Sequence, residues 1–192
     1  IDEITLRDGR FHVAAGSQIF ESAGIIVATG TDPVKMGVPG EDRLIGMGVS
    51  FCAICDGMFF RNLDVAVVGG GDAAIQEGLT LANLARKVYI VHRRTALRAQ
   101  KILQERAFRQ ENIEFVWNAR PVEVTGANQV EGLILEDVVT GIRSELKVDG
   151  VFVYIGARSE TAFLGDLVER DGSGFIVTDD NPRTEDPVSI RA

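Results

Sequence analysis

Two cysteines, Cys52 and Cys55, stand in the run Cys52-Ala53-Ile54-Cys55-Asp56-Gly57 and are the only ones in the chain. At this spacing, on a tight turn entering a helix, two sulfurs can close a small ring and reopen it. A helix N-terminus would favour the thiolate that performs the exchange. The same pair also reads as half a zinc site or as two buried thiols. Zinc needs four ligands. The chain has no second cysteine pair, and its only histidines, His12 and His92, stand at very different places, so no metal is expected. Asp56, beside Cys55, can donate or accept a proton during exchange or cap a helix. The sequence leaves both roles open.

A second constellation follows. Gly69-Gly70-Gly71-Asp72-Ala73-Ala74 fills the pattern G-x-G-x-x-A, which turns a strand into a helix and brings backbone N–H groups against a pyrophosphate. The apolar run Val65-Ala66-Val67-Val68 precedes it, and Val88-Tyr89-Ile90-Val91 follows about 20 residues on, where such a fold reads the ribose. A bare ribose needs a carboxylate at the end of that second strand; a 2′-phosphate needs cations. His92, Arg93 and Arg94 occupy the position, with Arg98 a helical turn on. The pattern reads as a site for NADPH rather than NADH. A solvated basic face is the other reading, less natural in a chain of net charge −8.

The elements that must position these groups are legible in the periodicity. Residues 64–69 and 87–91 read as strands, 72–85 and 99–110 as helices, and 113–117 as a further strand. Ala74, Ile75, Gly78, Leu79, Ala82 and Ala85 fall near one face of the first helix. Residues 121–125, 130–137 and 142–148 alternate as an antiparallel meander, with Gly126-Ala127-Asn128 and Thr140-Gly141 as turns. Residues 150–155 read as a buried strand. Gly156 after it either lets the chain pass close to a cofactor or is a plain turn glycine.

Composition sets the outer bounds. The chain has 192 residues, 45% hydrophobic and 25% charged, an ordinary globular balance. Its acidity argues against nucleic acid or an anionic membrane as partner. No apolar run approaches a membrane span and no signal peptide is visible. Paired cysteines beside a βαβ pattern point to redox work in a reducing compartment, so a cytoplasmic location is expected.

Further motifs stand in order with these: Ala28-Thr29-Gly30, Val38-Pro39-Gly40-Glu41, Gly48-Val49-Ser50, Arg98-Ala99 and Ile155-Gly156. With the cysteine run, the glycine turn and His92-Arg93-Arg94, the chain resembles the bacterial-type, low-molecular-weight thioredoxin reductase family along nearly its whole length. The resemblance implies an α/β flavoprotein. An FAD domain is split in sequence by an inserted Rossmann-like NADPH domain with an antiparallel meander, which carries the cysteines. Electrons would pass from NADPH to FAD, to the disulfide, and to thioredoxin or a thioredoxin-like protein, in a homodimer. By position, Cys55 resembles the flavin-facing sulfur, Cys52 the sulfur that exchanges with the partner, and Asp56 the proton donor. Arg93 and Arg98 resemble the 2′-phosphate ligands, with His92 and Arg94 supporting the adenosine end. Thr29, Gly30, Ile155 and Gly156 fall at cofactor positions.

There are departures. Ile54 stands where the family often has threonine, and Ala73 where it has serine or threonine. No glycine-rich FAD fingerprint precedes Ile1-Asp2-Glu3, and no late Gly-Asp motif comes before Ser189-Ile190-Arg191-Ala192. The expected organisation is a partial FAD domain over 1–30, a linker over 31–43, the NADPH domain over 44–148, and a return strand with partial FAD domain over 149–192. The segment after Thr178 is expected to be loosely held. On this reading the polypeptide alone binds NADPH and retains little FAD. An isolated NADPH-binding module without turnover, or a related flavin disulfide reductase with a different acceptor, are the alternatives.

Overall fold

The computed structural model describes residues 1–178; the segment expected to be loosely held lies outside them. The chain forms two compact units, one of residues 1–32 with the chain from Ala157 onward, the other Pro33–Gly156.

The first unit opens with an antiparallel meander, β1 (Glu3–Arg7), β2 (Arg10–Ala15) and β3 (Gln18–Ser22). The β1–β2 connection is Asp8-Gly9, with φ of 50° and 73°. A two-residue hairpin loop needs positive φ at both positions to match the strand twist. β4 (Thr31–Pro33) pairs with β13 (Ala157–Ser159). Ile4, Phe11 and Leu164 form a small core with Val13, Ile25 and Val27 against it. A turn follows at residues 171–174, where Asp171 accepts N–H bonds from Ser173 and Phe175 at 2.8 and 3.0 Å.

The second unit is a three-layer α/β structure. In chain order it contains α1 (Glu41–Leu44), β5 (Val49–Ser50), α2 (Ala53–Asp56), β6 (Asp64–Gly69), α3 (Asp72–Ala82), β7 (Lys87–Val91) and α4 (Lys101–Phe108). It continues with β8 (Ile113–Val116), β9 (Ala119–Thr125), β10 (Gly132–Asp137), β11 (Arg143–Leu146) and β12 (Gly150–Tyr154). The central sheet is parallel, in the order β5-β12-β6-β7-β8. The meander β11-β10-β9 is antiparallel.

The alternation of side chains along β6 builds the layers. Val65 and Val67 join Ala74, Ile75, Val88, Ile90 and Phe152 in the core under α3 and α4. Ala66 and Val68 join Val124, Leu133, Leu135, Val151 and Val153 under the meander. A strand covered on both faces must be apolar throughout, so β6 reads as a continuous hydrophobic run rather than as an alternation. Among the described residues no helix is long and apolar enough to cross a membrane.

The observed bounds differ from the expected ones in three places. Residues 33–43 are not a free linker. Glu41, 2% exposed, accepts N–H bonds from Met36 and Gly37 at 2.9 and 2.7 Å, and Val124 N–H donates to the Pro39 carbonyl at 2.9 Å. A buried carboxylate satisfied by two backbone donors fixes the segment to the second unit. The strand expected to lead back into the first domain is instead central to the parallel sheet, between β5 and β6. The helices are shorter than their apolar periodicity. α3 ends at Ala82, where Asn83 Nδ2 caps the Leu79 carbonyl at 2.9 Å, and the buried face carries Leu81 in full with Leu79 only partly.

Phe152 anchors the sheet. It is fully buried and meets Phe60 edge-on with ring centroids 5.2 Å apart. Truncation leaves a cavity with little around it free to collapse. Phe152→Ala should lower the unfolding free energy by about 3–5 kcal/mol, measured by denaturant titration.

Candidate functional site

Strand order in the sheet reverses between β6 and β12. From β6 the chain proceeds through α3 to β7 and β8 on one side, while β12 lies on the other. In a doubly wound sheet the crevice beyond the strand C-termini at such a point is where ligands bind. A groove of about 650 Å³ opens there. It is lined by the ends of β6 (Val68, Gly69, Gly70), β7 (Val91, His92, Arg93) and β12 (Tyr154, Ile155), with Arg98 and the start of β9.

The glycine turn is shaped by close approach. Gly69 has φ of 153°, and a Cβ there would press on the Tyr154 carbonyl and lie 2.8 Å from the Ala74 methyl. A Cβ on Gly70 would strike the His92 ring. A Cβ on Gly71 would meet nothing within 4 Å. Two glycines thus let the turn pack on the protein, and the third leaves open space at the N-terminus of α3, where a pyrophosphate fits. Ala74 is fully buried beneath the turn; Ala73 is exposed. Asp72 is committed elsewhere, its carboxylate accepting from Gln100 N–H at 2.7 Å and from Gln100 Nε2 at 3.3 Å. It holds the start of α4.

The loop after β7 is tied to the same turn. Arg98 and Ala99 N–H groups both donate to the Gly70 carbonyl, at 2.7 and 3.2 Å. Arg93, Arg94 and Arg98 are exposed, and among the described residues none of the three pairs with a carboxylate. Arg93 and Arg98 line the groove; Arg94 does not. His92 is buried, with Nε2 3.1 Å from the Ala96 carbonyl and its ring edge toward Trp117. Burial is the main cause holding its imidazole below the usual histidine range, and Arg98, Arg94 and Arg93 add to it. Ile155 lines the groove and Gly156 follows it, its carbonyl accepting from Val34 N–H at 3.0 Å. Thr29 and Gly30 belong to the first unit, where the Thr29 hydroxyl donates to the Glu160 carbonyl at 3.1 Å.

The cysteines form a disulfide, with Cα atoms 5.3 Å apart. Neither sulfur is therefore a zinc thiolate in this state. Cys52 is the N-cap of α2, and its Sγ accepts from Cys55 N–H at 3.1 Å. Cys55 is the more exposed residue of the pair. Around them, Ile54, Met58 and Phe59 are 77%, 58% and 78% exposed, an apolar rim uncommon on a free surface.

Three residues that sequence reasoning did not single out for the site position the chemistry. Ser50, buried at the end of β5, donates its hydroxyl to Asp56 Oδ2 at 2.6 Å and accepts from Cys52 N–H at 3.0 Å. Asp56 is thereby oriented by a hydroxyl rather than acting as the cap of α2, the place Cys52 takes. The Tyr154 hydroxyl accepts from Ala53 N–H at 2.8 Å and so joins the cysteine helix to the strand that lines the groove. Burial, with smaller contributions from Glu77 and Asp56, pushes the Tyr154 phenol up to about 12. Glu41 pins residues 36 and 37, which form the near wall of the groove. The apolar neighbours of these residues gave no sequence pattern that separates a buried tether from an ordinary turn polar group. The Gly48-Val49-Ser50 and Val38-Pro39-Gly40-Glu41 motifs were the available signal.

The His92 shift has a pH consequence. Its folded-state value is depressed, so protonation favours the unfolded chain. The associated stability is present above the unfolded value of about 6.5 and is lost as pH falls below it toward the folded value. Unfolding free energy should drop on acidification through that window, and His92→Asn should remove that component of the slope.

A family model for pyridine nucleotide-disulphide oxidoreductases matches residues 2–188. The thioredoxin reductase of Listeria monocytogenes is 48% identical over 176 residues, covering 91% of this chain and 55% of the relative. That of Treponema pallidum is 45% identical over 184 residues, covering 96% and 60%. The crystal structure of Lactococcus lactis thioredoxin reductase superposes with a TM-score of 0.87 at 38% identity, over 98% of this chain and 63% of that one. The chain thus spans somewhat over half the length of the relatives it matches. With the Rossmann-like sheet, the glycine turn and the paired cysteines in place, the chain belongs to the pyridine nucleotide-disulphide oxidoreductase family.

Proposed function

We propose that this chain supplies the NADPH-binding and dithiol parts of a thioredoxin reductase. NADPH reduces the Cys52–Cys55 disulfide, with FAD as the intermediary that the family resemblance implies, and the dithiol then reduces a thioredoxin-type protein disulfide. The observation that carries the reading is the groove itself. Two arginines that pair with no carboxylate among the described residues line the groove beside a glycine turn that leaves space only at Gly71, and Tyr154 links that groove to the cysteine helix.

The groove residues fit NADPH. Gly71 and the α3 N-terminus would take the pyrophosphate, and Arg93 and Arg98 the 2′-phosphate through charge-assisted bonds. Arg94 and His92 would support the adenosine end, His92 by shaping the turn from below. Among the described residues, α3 is the one helix entered through a run of glycines, so with NADPH in that place no second such turn stands among them for the FAD pyrophosphate. When bound, FAD turns a hydride into the electron pair that a disulfide accepts.

The exchange uses this chain's own atoms. Reduction of the disulfide leaves two sulfurs, and the Cys52 thiolate, which accepts the Cys55 N–H, is the better stabilised nucleophile. It attacks the partner's disulfide and forms a mixed disulfide, and Asp56 supplies the proton to the departing sulfur. Cys55 then attacks Cys52 Sγ, re-forms the ring and releases the reduced partner. The apolar rim of Ile54, Met58 and Phe59 suits a protein partner. The reading carries a cytoplasmic, homodimeric whole protein as its setting. The alternatives are a binding module without turnover and a reductase with a different acceptor.

Two measurements test it. Arg93→Ala with Arg98→Ala should weaken NADPH binding by about 100-fold or more, as two charge-assisted phosphate contacts are lost, and leave NADH binding nearly unchanged. Equal losses for both cofactors would refute the assignment. Free thiols should rise by two per chain on mild reduction and return on air oxidation, given the single disulfide; full labelling of both cysteines before reduction would remove the redox role.

A further inference from the structure

The groove has another arginine, and its guanidinium is held by a carboxylate. Arg120, on β9, lines the groove with Arg93 and Arg98. Ala119 N–H donates to the His92 carbonyl at 3.1 Å, which brings the start of β9 to the end of β7, next to the ribose-reading arginines. Unlike them, Arg120 is already paired. Its Nε and Nη2 both reach Glu136 Oε1, at 3.0 and 2.5 Å. Glu136 is only 16% exposed and is held from its other oxygen by Arg143 at 3.4 Å, while the Arg120 side chain is 59% exposed. The clamp is therefore fixed, and the clamped group is open to the groove.

A phosphate ligand must offer its N–H edge, because the bonds to phosphate lie in the guanidinium plane. Arg93 and Arg98 have that edge free. Arg120 gives two of its five N–H donors to the carboxylate, which fixes the plane of its guanidinium and leaves the exposed flat face, beside three remaining N–H groups, available to a ligand. A flat cationic face stacks on an aromatic ring. The aromatic ring at this end of a 2′-phosphorylated dinucleotide is the base.

We propose that Arg120, held by Glu136, is a specificity residue that stacks on the adenine of the bound nucleotide, while Arg93 and Arg98 read its phosphate. This rests on the reading of the groove as an NADPH site. It divides the cations of the groove into edge readers and a face reader, and it gives Glu136 and Arg143 a role: they hold a plate in orientation rather than neutralise a surface charge.

The test uses two ligands that share both phosphates and differ in the base, 2′,5′-ADP and uridine 2′,5′-bisphosphate, titrated calorimetrically into the whole chain. The unmodified chain should prefer the purine. Arg120→Ala should weaken 2′,5′-ADP binding about tenfold and change the uridine compound less than about twofold, the scale of one stacked guanidinium. Arg120→Lys should behave like alanine, since an ammonium keeps the charge and loses the plane. Glu136→Ala leaves the arginine but frees its edge, and it should lower the purine preference. Arg93→Ala should weaken both ligands alike. Equal weakening of both ligands by Arg120→Ala would make Arg120 a phosphate ligand and overturn the proposal, as would no change in either. If the unmodified chain binds neither compound, the nucleotide reading of the groove itself fails; if Arg93→Ala acts and Arg120→Ala does not, only the stacking role fails.

Discussion

The constraint on which the groove depends is the close passage of backbone at Gly69 and Gly70. On one side lies the Tyr154 carbonyl, on the other the His92 ring, and beneath them the Ala74 methyl. No side chain fits at either glycine without displacing a strand end or a buried ring. Everything that makes the groove depends on this packing. It sets β6 against β12, places the start of α3, and allows the Gly70 carbonyl to receive the two N–H groups that hold the arginine loop.

From that passage the chemistry divides along two strands. β7 ends in the cationic loop that lines the groove. β12 ends in Tyr154, whose hydroxyl fixes the first residue of the cysteine helix. The Ser50–Asp56 bond repeats the pattern on β5, where a short strand delivers a buried hydroxyl to the carboxylate beside the cysteines. The groove and the cysteine helix are thus organised by strands of one parallel sheet, with β12 and its neighbour β5 each reaching the cysteine helix through one polar side chain at the C-terminal end.

How much of this was legible in the sequence follows from what periodicity can encode. β6, β7 and the meander were readable because continuous apolar runs and alternation are direct consequences of burial on both faces or on one. The glycine turn and Arg93 with Arg98 were readable because their residue types carry the chemistry. Asp72 was read as a cofactor position, yet it holds Gln100 28 residues away, a contact that local pattern does not report. Residues 31–43 read as a linker because Pro33, Gly37, Pro39 and Gly40 stand close together there. The tether that overrides this is one glutamate, Glu41, whose burial depends on tertiary packing. The place of β12 inside the sheet was equally hidden, since a buried strand carries no mark of which neighbours it joins. Arg120 gave no signal at all, because its meaning comes from Glu136 on the adjacent strand.

The bonds from Asp72 to Gln100 and from Gly70 to Arg98 and Ala99 have a thermodynamic consequence. They order the turn and the arginine loop through the protein's own contacts. A loop that is already fixed loses little further freedom on association, so less of the gross interaction energy is spent on ordering. What remains to be immobilised is mostly the long, exposed side chains of Arg93 and Arg98. On the proposed reading, the enthalpy of their phosphate contacts would be offset by rotamer entropy at the tips, not by backbone entropy, on a surface rigid at its base and adaptable only at its cationic ends.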